Sequence, residues 1–191
     1  MIPNNSYAID NIKGELRFKL GFHFRSRYLT DDLDRYPIPN FLLSSELLLL
    51  NKYINFGLGA IYQFLTYIGV EQGKFGFLPL FGVLELNLKP SAKFEPSIVA
   101  HMGYNTLYGD ENFKDGEYIT GASLKGGLYY GFGFHFKDKL FLLEFLFKVN
   151  KGSVSKTGAY KDSSTNEMRI FKTETDVYFR YISIMFGINI N

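Results

Sequence analysis

The chain alternates between large apolar residues and small or charged residues over long stretches, most clearly at residues 121–150. Even positions such as Leu128, Phe132 and Phe136 are bulky and apolar, while the odd positions between them carry glycine, tyrosine or histidine. A period of two over a stretch of this length is typical of a β-strand with two unlike faces. The residues KDK at 137–139 interrupt the alternation, which then resumes, so the pattern predicts two strands joined by a short turn.

The same alternation recurs along the chain and predicts eight strands. Their approximate bounds are 14–25, 41–49, 53–64, 74–88, 94–105, 119–136, 140–150 and 176–190. Connections after the first, third, fifth and seventh strands are long, whereas the other three are only a few residues each. This arrangement predicts an antiparallel up-and-down meander with its long connections gathered at one end. We expect residues 1–191 to form a single domain.

Two eight-stranded barrels are compatible with this pattern. A soluble lipocalin-like barrel places the apolar face inside, around a ligand, whereas a membrane barrel turns that face toward lipid. The apolar faces carry roughly 40 large side chains, and an interior of eight strands is only just filled by ordinary side chains. The volume therefore favours an all-β fold, an eight-stranded antiparallel up-and-down transmembrane β-barrel. Solubility without detergent would support the soluble alternative.

The opposite faces combine glycine with charged groups of both signs. Buried charges need partners, and a closed lumen supplies them when the charges pair with one another. We predict a plugged lumen with a charge network of Glu15, Arg17, Lys19, Arg25, Glu46, Glu85, Lys125, Glu144 and Lys148. The alternation also directs all three histidines, His23, His101 and His135, into the lumen.

Aromatic residues make up 18% of the chain, and many lie near the ends of the predicted strands. Aromatic girdles at both interfaces are typical of membrane barrels. We predict one girdle from Phe24, Tyr62, Phe64, Tyr104, Phe147 and Tyr178, and the other from Tyr53, Phe94, Phe136 and Phe141.

The composition narrows the chemistry further. The chain has no Cys, which excludes a disulfide framework and a thiolate metal site. Three scattered histidines show no metal-ligand spacing, so we expect neither a metal nor another cofactor. A net charge of +2 favours no particular partner, and no nucleic acid is expected. The chain has no run of about 18 apolar residues, so no transmembrane helix is predicted.

Four segments are the strongest basis for a family resemblance: FLPLFGVLELNL, FEPSIVAHMGY, GGLYYGFGFHF and the terminal YISIMFGINI. With them, residues 14–190 resemble the OmpA/OmpX-type eight-stranded outer-membrane β-barrel family. The resemblance implies a location in the outer membrane of a diderm bacterium, both termini in the periplasm and the long loops outside the cell. The first residues lack a signal peptide, so either the chain is not exported or that peptide was removed before the numbering begins.

Some barrels of this size are lipid A deacylases or acyltransferases, and the deacylase pattern places a serine two residues after a histidine. None of the three histidines matches that pattern, so no catalytic residue is predicted. We expect a non-enzymatic, monomeric protein in outer-membrane lipid that serves a structural or surface-interaction role. The predicted binding regions for an extracellular protein or host ligand are the loops 26–40 and 151–174. The alternatives are a narrow channel or small-solute transporter, and then a lipid A-modifying enzyme.

Overall fold

The structure is a computed structural model that describes residues 13–25, 40–67, 74–90, 93–109, 112–115 and 118–190. These residues contain the strands β1 Lys13–Arg25, β2 Asn40–Leu50, β3 Ile54–Tyr67, β4 Lys74–Asn87, β5 Glu95–Gly109, β6 Asn112–Asp115, β7 Tyr118–Lys137, β8 Phe141–Lys161 and β9 Met168–Ile190. Within the described part of the chain, no helix is long and apolar enough to cross a membrane.

Eight of the strands form a closed antiparallel barrel. The order around the sheet is β5-β4-β3-β2-β1-β9-β8-β7, and pairing between β5 and β7 closes the ring. The four-residue β6 pairs with β7 and lies outside this ring. The predicted eight-stranded antiparallel up-and-down β-barrel is therefore confirmed.

The pleat directs the two faces of each strand as predicted. Phe18 is 41% exposed on the outside of the barrel, whereas the adjacent Arg17 is 1% exposed in the lumen. Leu84 and Glu85 show the same contrast in β4. An apolar belt that continues around the barrel is far larger than the apolar patches that soluble monomers expose, so this surface faces lipid. The soluble alternative, with its apolar face inside, is wrong.

Aromatic side chains mark both edges of this apolar belt. Every predicted girdle residue whose side chain is described is exposed on the outer surface. The side chain of Phe64 lies outside the described ones. The girdle of Tyr53, Phe94, Phe136 and Phe141 lies at or next to the short turns, and the second girdle lies toward the long connections.

The last two strands are much longer than predicted. Expected bounds of 140–150 and 176–190 become Phe141–Lys161 and Met168–Ile190, so most of the predicted loop 151–174 is a two-stranded ladder. The predicted bounds were too short because these strands leave the membrane, where lipid no longer imposes one apolar and one polar face. The alternation of Met168 and Ile170 with Arg169 and Phe171 did indicate that part of this segment extends the two strands. Val, Thr, Tyr and Phe still favour extended structure in this segment. The other predicted loop, 26–40, lies outside the described residues except for its last position.

A compact turn at residues 162–167 joins β8 to β9. Asp162 and Glu167 are linked by a backbone hydrogen bond of 2.9 Å, and the Asp162 carboxylate accepts hydrogen bonds from the backbone and hydroxyl of Ser164. Asn166 has a φ of 61°, in the left-handed region that Asn tolerates better than most residues. We call residues 151–161 of β8, this turn and residues 168–178 of β9 the outer hairpin.

Candidate functional site

The lumen near the short turns holds a first group of buried charges around Arg17. The Nε atom of Arg17 lies 2.5 Å from Glu15 Oε1, and its Nη1 atom lies 2.6 Å from Glu85 Oε2. Asn55 donates a hydrogen bond of 2.7 Å to the other oxygen of Glu85, and Lys137 Nζ lies 3.3 Å from that oxygen. We call these five residues the Arg17 cluster. Each of its charges contacts a group of opposite charge, as buried ion pairs require.

A second group surrounds Lys19. Its ammonium donates hydrogen bonds to Glu46 and to Glu144, the latter at 2.9 Å. His101 Nε2 lies 3.5 Å from Glu46, and His101 Nδ1 lies 3.3 Å from the hydroxyl of Tyr129. We call these five residues the Lys19 cluster. His135 joins it to the Arg17 cluster, since its ring nitrogens lie 3.3 Å from Glu85 and 3.7 Å from Glu144.

Three members of the Lys19 cluster have the chemistry of metal ligands. Atoms of Glu46, His101 and Glu144 lie within 4.8 Å of one another, and all three side chains are buried. The ammonium of Lys19 already contacts both carboxylates, so a cation could bind all three residues only by displacing it. The arrangement therefore supports an internal ion-pair plug.

The buried charges balance within the described lumen. Four carboxylates, Glu15, Glu46, Glu85 and Glu144, face four cations, Arg17, Lys19, Lys137 and Lys148. With neutral histidines, the lumen then has no net formal charge. Because an uncompensated charge in a low-dielectric interior is costly, the pairing favours the ionised form of the seven groups other than Lys148, each of which contacts a group of opposite charge.

The remaining predicted lumen residues lie outside the Arg17 and Lys19 clusters. Lys148 is buried, and its ammonium has no hydrogen-bond partner among the described residues. His23 is buried with its ring 4.1 Å from the ring of Tyr181, measured between centroids. Arg25 ends β1, and its side chain lies outside the described ones.

The prediction for Lys125 is wrong. Its side chain is 66% exposed and pairs with Glu174 at 3.5 Å, outside the lumen. The cause is a bulge in β7: Gly126 pairs with Gly152, but the next aligned pair is Tyr129 with Asn150. This extra residue inverts the faces, so odd positions point inward after the bulge and outward before it. The Gly126-Gly127 pair was the sequence signal for it.

Three residues of the two clusters were not predicted from the sequence. Lys137 was assigned to a turn, although it continues the odd-numbered, inward face of its strand. Asn55 and Tyr129 also follow the inward alternation of their strands. They were missed because the prediction considered charged and histidine side chains alone, whereas a buried plug also uses amide and hydroxyl groups.

The outer hairpin is a second candidate site. Its ladder extends from the pair Lys151 and Tyr178 to the pair Lys161 and Met168, which corresponds to about 30 Å along the strand. Among the described residues, β9 from Met168 to Arg180 pairs with β8 alone. Near the tip, Ile170 is 79% and Met168 is 66% exposed. The hairpin thus offers a strand edge and an apolar tip.

Known proteins match this chain in structure and not in sequence. No protein-family model matches, and no curated protein matches the sequence. The crystal structure of the outer membrane protein OprG from Pseudomonas aeruginosa is 16% identical, with 95% of this chain and 98% of that chain covered and a TM-score of 0.59. The crystal structure of Neisserial surface protein A is 9% identical, with coverages of 93% and 96% and a TM-score of 0.50.

At these identities the similarity shows the fold. Both matched proteins are covered almost over their full length, so the similarity applies to the whole barrel. The apolar outer belt between two aromatic girdles independently requires a membrane around this barrel. The chain is therefore an integral outer-membrane protein, with the eight-stranded β-barrel fold that the resemblance to the OmpA/OmpX type implied.

Proposed function

We propose that this barrel is a non-enzymatic surface-interaction protein that binds an extended polypeptide segment of an extracellular partner through its outer hairpin. Outer-membrane barrels have short periplasmic turns and longer extracellular loops, which places the outer hairpin outside the cell. The single observation that carries the proposal is the hairpin itself, with Met168 and Ile170 exposed near the tip of an ordered ladder.

The chemistry of the hairpin suits strand addition. An exposed sheet edge binds an extended peptide by backbone hydrogen bonds, and side chains at alternate positions confer specificity. The β9 edge has this form among the described residues, and Met168 and Ile170 are alternate positions on one face of β9. Apolar side chains that are held in water far from the membrane favour a protein partner.

A library of random extended peptides, selected on the protein in lipid nanodiscs, tests this proposal. The key variant is Met168→Ser with Ile170→Ser, and the control is Leu47→Ser, an exposed apolar residue within the lipid belt. We expect selected peptides to bind the hairpin variant at least about tenfold more weakly than the wild type, as the loss of two apolar anchors implies. Peptides that bind both equally, or no enrichment, would contradict the proposal.

A narrow ion path is the second candidate. The observation in its favour is a set of buried lumen atoms that have no hydrogen-bond partner among the described residues, including Lys148 Nζ and both ring nitrogens of His23. Such atoms are commonly hydrated. Against conduction, the Lys19 and Arg17 clusters span the lumen with paired charges. Planar-bilayer recordings distinguish an ion path from a closed lumen. Discrete conductance steps would indicate a path, whereas we expect none from a plugged barrel.

The proposal of no enzymatic activity has separate support. All three histidines are buried in the lumen, facing away from the lipid that a lipid A-modifying enzyme would need to reach. Mass spectrometry of lipid A after expression tests this point, and we expect an unchanged acyl pattern. A new deacylated or acylated species would show that the barrel is an enzyme.

A further inference from the structure

Two cations lie on the lipid-facing surface at the extracellular edge of the barrel. Lys151 in β8 and Arg180 in β9 are both half-exposed, and among the described residues neither has a carboxylate in ion-pair contact. The nearest acidic side chains on this face lie further from the membrane. Glu174 there contacts Lys125 and Ser153, which pairs in register with Asp176.

These cations belong to an ordered group of side chains, the rim patch, consisting of Tyr130, Val149, Lys151, Tyr178 and Arg180. Val149 pairs with Tyr130 on one side and with Arg180 on the other. It faces outward yet is only 2% exposed, while Phe147, which precedes it on the same face, is 41% exposed. The longer side chains around Val149 therefore cover it and do not extend freely into the surroundings.

Lys151 is held between two rings of the patch. Its Nζ atom lies 5.8 Å from the ring centroid of Tyr130 and 5.4 Å from that of Tyr178, within the range of cation–π contacts. The interaction fixes the ammonium at the level of the aromatic girdle, where headgroups meet the hydrocarbon region. A positive charge is thus preorganised at the depth of the lipid headgroups.

Arg180 lies two residues deeper than the pair of Lys151 and Tyr178, about 7 Å along the strand toward the apolar belt. A guanidinium at the edge of the lipid belt and without a protein carboxylate is stabilised by an anionic partner at the membrane surface. Its planar fork of donors suits a phosphate group, and a second cation nearby strengthens such a contact. The two residues therefore match an anionic headgroup whose acyl chains continue along the apolar surface below.

We propose that Lys151 and Arg180 form a binding site for the phosphate of an outer-leaflet lipid headgroup. The headgroup occupies the rim patch, with the phosphate between the two cations. The acyl chains lie on the apolar outer surface of β8 and β9, which includes Phe147 and Ile182. This site binds lipid from the side of the barrel and uses no atom of the lumen or of the outer hairpin tip.

Native mass spectrometry of the full chain, released from detergent and titrated with diphosphoryl lipid A, tests the site. The test variant is Lys151→Gln with Arg180→Gln. Two matched controls are Lys125→Gln, an exposed cation further out on the same face, and Lys52→Gln, whose ammonium lies 5.2 Å from the Tyr53 ring at the opposite interface. Folding of each variant is checked by its heat-dependent mobility on gels.

We expect the double variant to bind lipid A about tenfold or more weakly, the size expected for losing charge-assisted phosphate contacts. Both controls should bind like the wild type, and dephosphorylated lipid A should bind the wild type as weakly as lipid A binds the variant. Inorganic phosphate should not compete, because the acyl chains contribute to the affinity. Equal binding by the double variant, or an equal loss in both controls, would overturn the site.

If the double variant does not fold, the single substitutions Lys151→Gln and Arg180→Gln are measured in the same way. Each must weaken lipid A binding by a factor of about three or more, and Arg180→Lys must bind more tightly than Arg180→Gln because it keeps the charge. Single variants that bind like the wild type would reject the proposal equally.

Discussion

Glu85 is the residue whose loss should destabilise this barrel most clearly. It is fully buried, and its two carboxylate oxygens contact Arg17, Asn55 and Lys137. The substitution Glu85→Gln keeps the shape of the side chain and removes its negative charge. It leaves two buried cations with one fewer carboxylate, so the balance of charge within the lumen is lost.

The magnitude follows from the contacts. Two unit charges about 4 Å apart attract each other by about 4 kcal/mol at an effective dielectric constant near 20. Removing one member of a buried, hydrogen-bonded pair typically costs about 3–5 kcal/mol, because the other charge remains buried. We therefore expect Glu85→Gln to lower the free energy of unfolding by about 3–5 kcal/mol. Glu174→Gln is the matched control, since its exposed pair with Lys125 should contribute less than about 1 kcal/mol.

Equilibrium unfolding in guanidinium chloride, with the protein in phospholipid vesicles, measures both changes. The chain has no Trp, so far-UV circular dichroism is the appropriate signal. A combined Arg17→Gln and Glu85→Gln variant should lose less than the sum of its single variants, by about 1–3 kcal/mol, because each change removes a charge that the other would leave unpaired. If Glu85→Gln were no more destabilising than Glu174→Gln, the buried ion-pair plug would be refuted.

Other predictions concern the backbone and the turns. Gly133→Ala places a Cβ 1.9 Å from a backbone oxygen of β8, so this variant should fold slowly or not at all into vesicles. Gly14→Ala, whose added Cβ has no atom within 4 Å, should fold normally. Heat-dependent mobility on gels measures folding of both variants. The pKa of Asp138 lies below its ordinary value because its carboxylate accepts backbone hydrogen bonds, chiefly from Phe141. Its stabilisation of the turn should persist at neutral pH and disappear as the pH falls through that lowered pKa, which carboxyl NMR titration measures and Asp138→Asn abolishes. Asn166→Val should weaken the outer hairpin by about 1 kcal/mol or more while Asn166→Gly does not, as read from amide exchange, because Val disfavours a positive φ.

Sequence alternation was sufficient for the barrel because the membrane imposes it. Each strand must place apolar groups toward lipid and smaller or paired groups toward the lumen, so the period of two is maintained for the thickness of the bilayer. For β1 through β5 and β7, predicted and observed bounds differ by four residues at most. Where the membrane ends, the constraint ends as well, which is why residues 151–174 were taken for a loop.

The sequence predicted which side chains point into the lumen, but not which of them contact one another. Alternation indicated that Arg17 and Glu85 share the interior, but they are 68 residues apart in sequence, and only the register between strands brings them together. A bulge changes the direction itself, as Lys125 shows. Such an inserted residue leaves the local alternation intact on each side, so the pattern conceals it unless the glycine pair is recognised as a point of irregular pairing.

The plug and the outer hairpin share strand β8, although no residue of the Arg17 or Lys19 cluster lies in the hairpin. Glu144 in the Lys19 cluster lies on β8, the strand that continues into the hairpin. A slip of one residue between β8 and β9 would turn every side chain to the opposite face, including Met168 and Ile170. The ion pair between Glu144 and Lys19 opposes that slip because it would have to break inside the lumen, where an unpaired charge is costly. The same slip would also turn the lipid-facing residues of both strands, such as Phe147 and Ile182, into the lumen, so the apolar belt and the ion pair fix the same register.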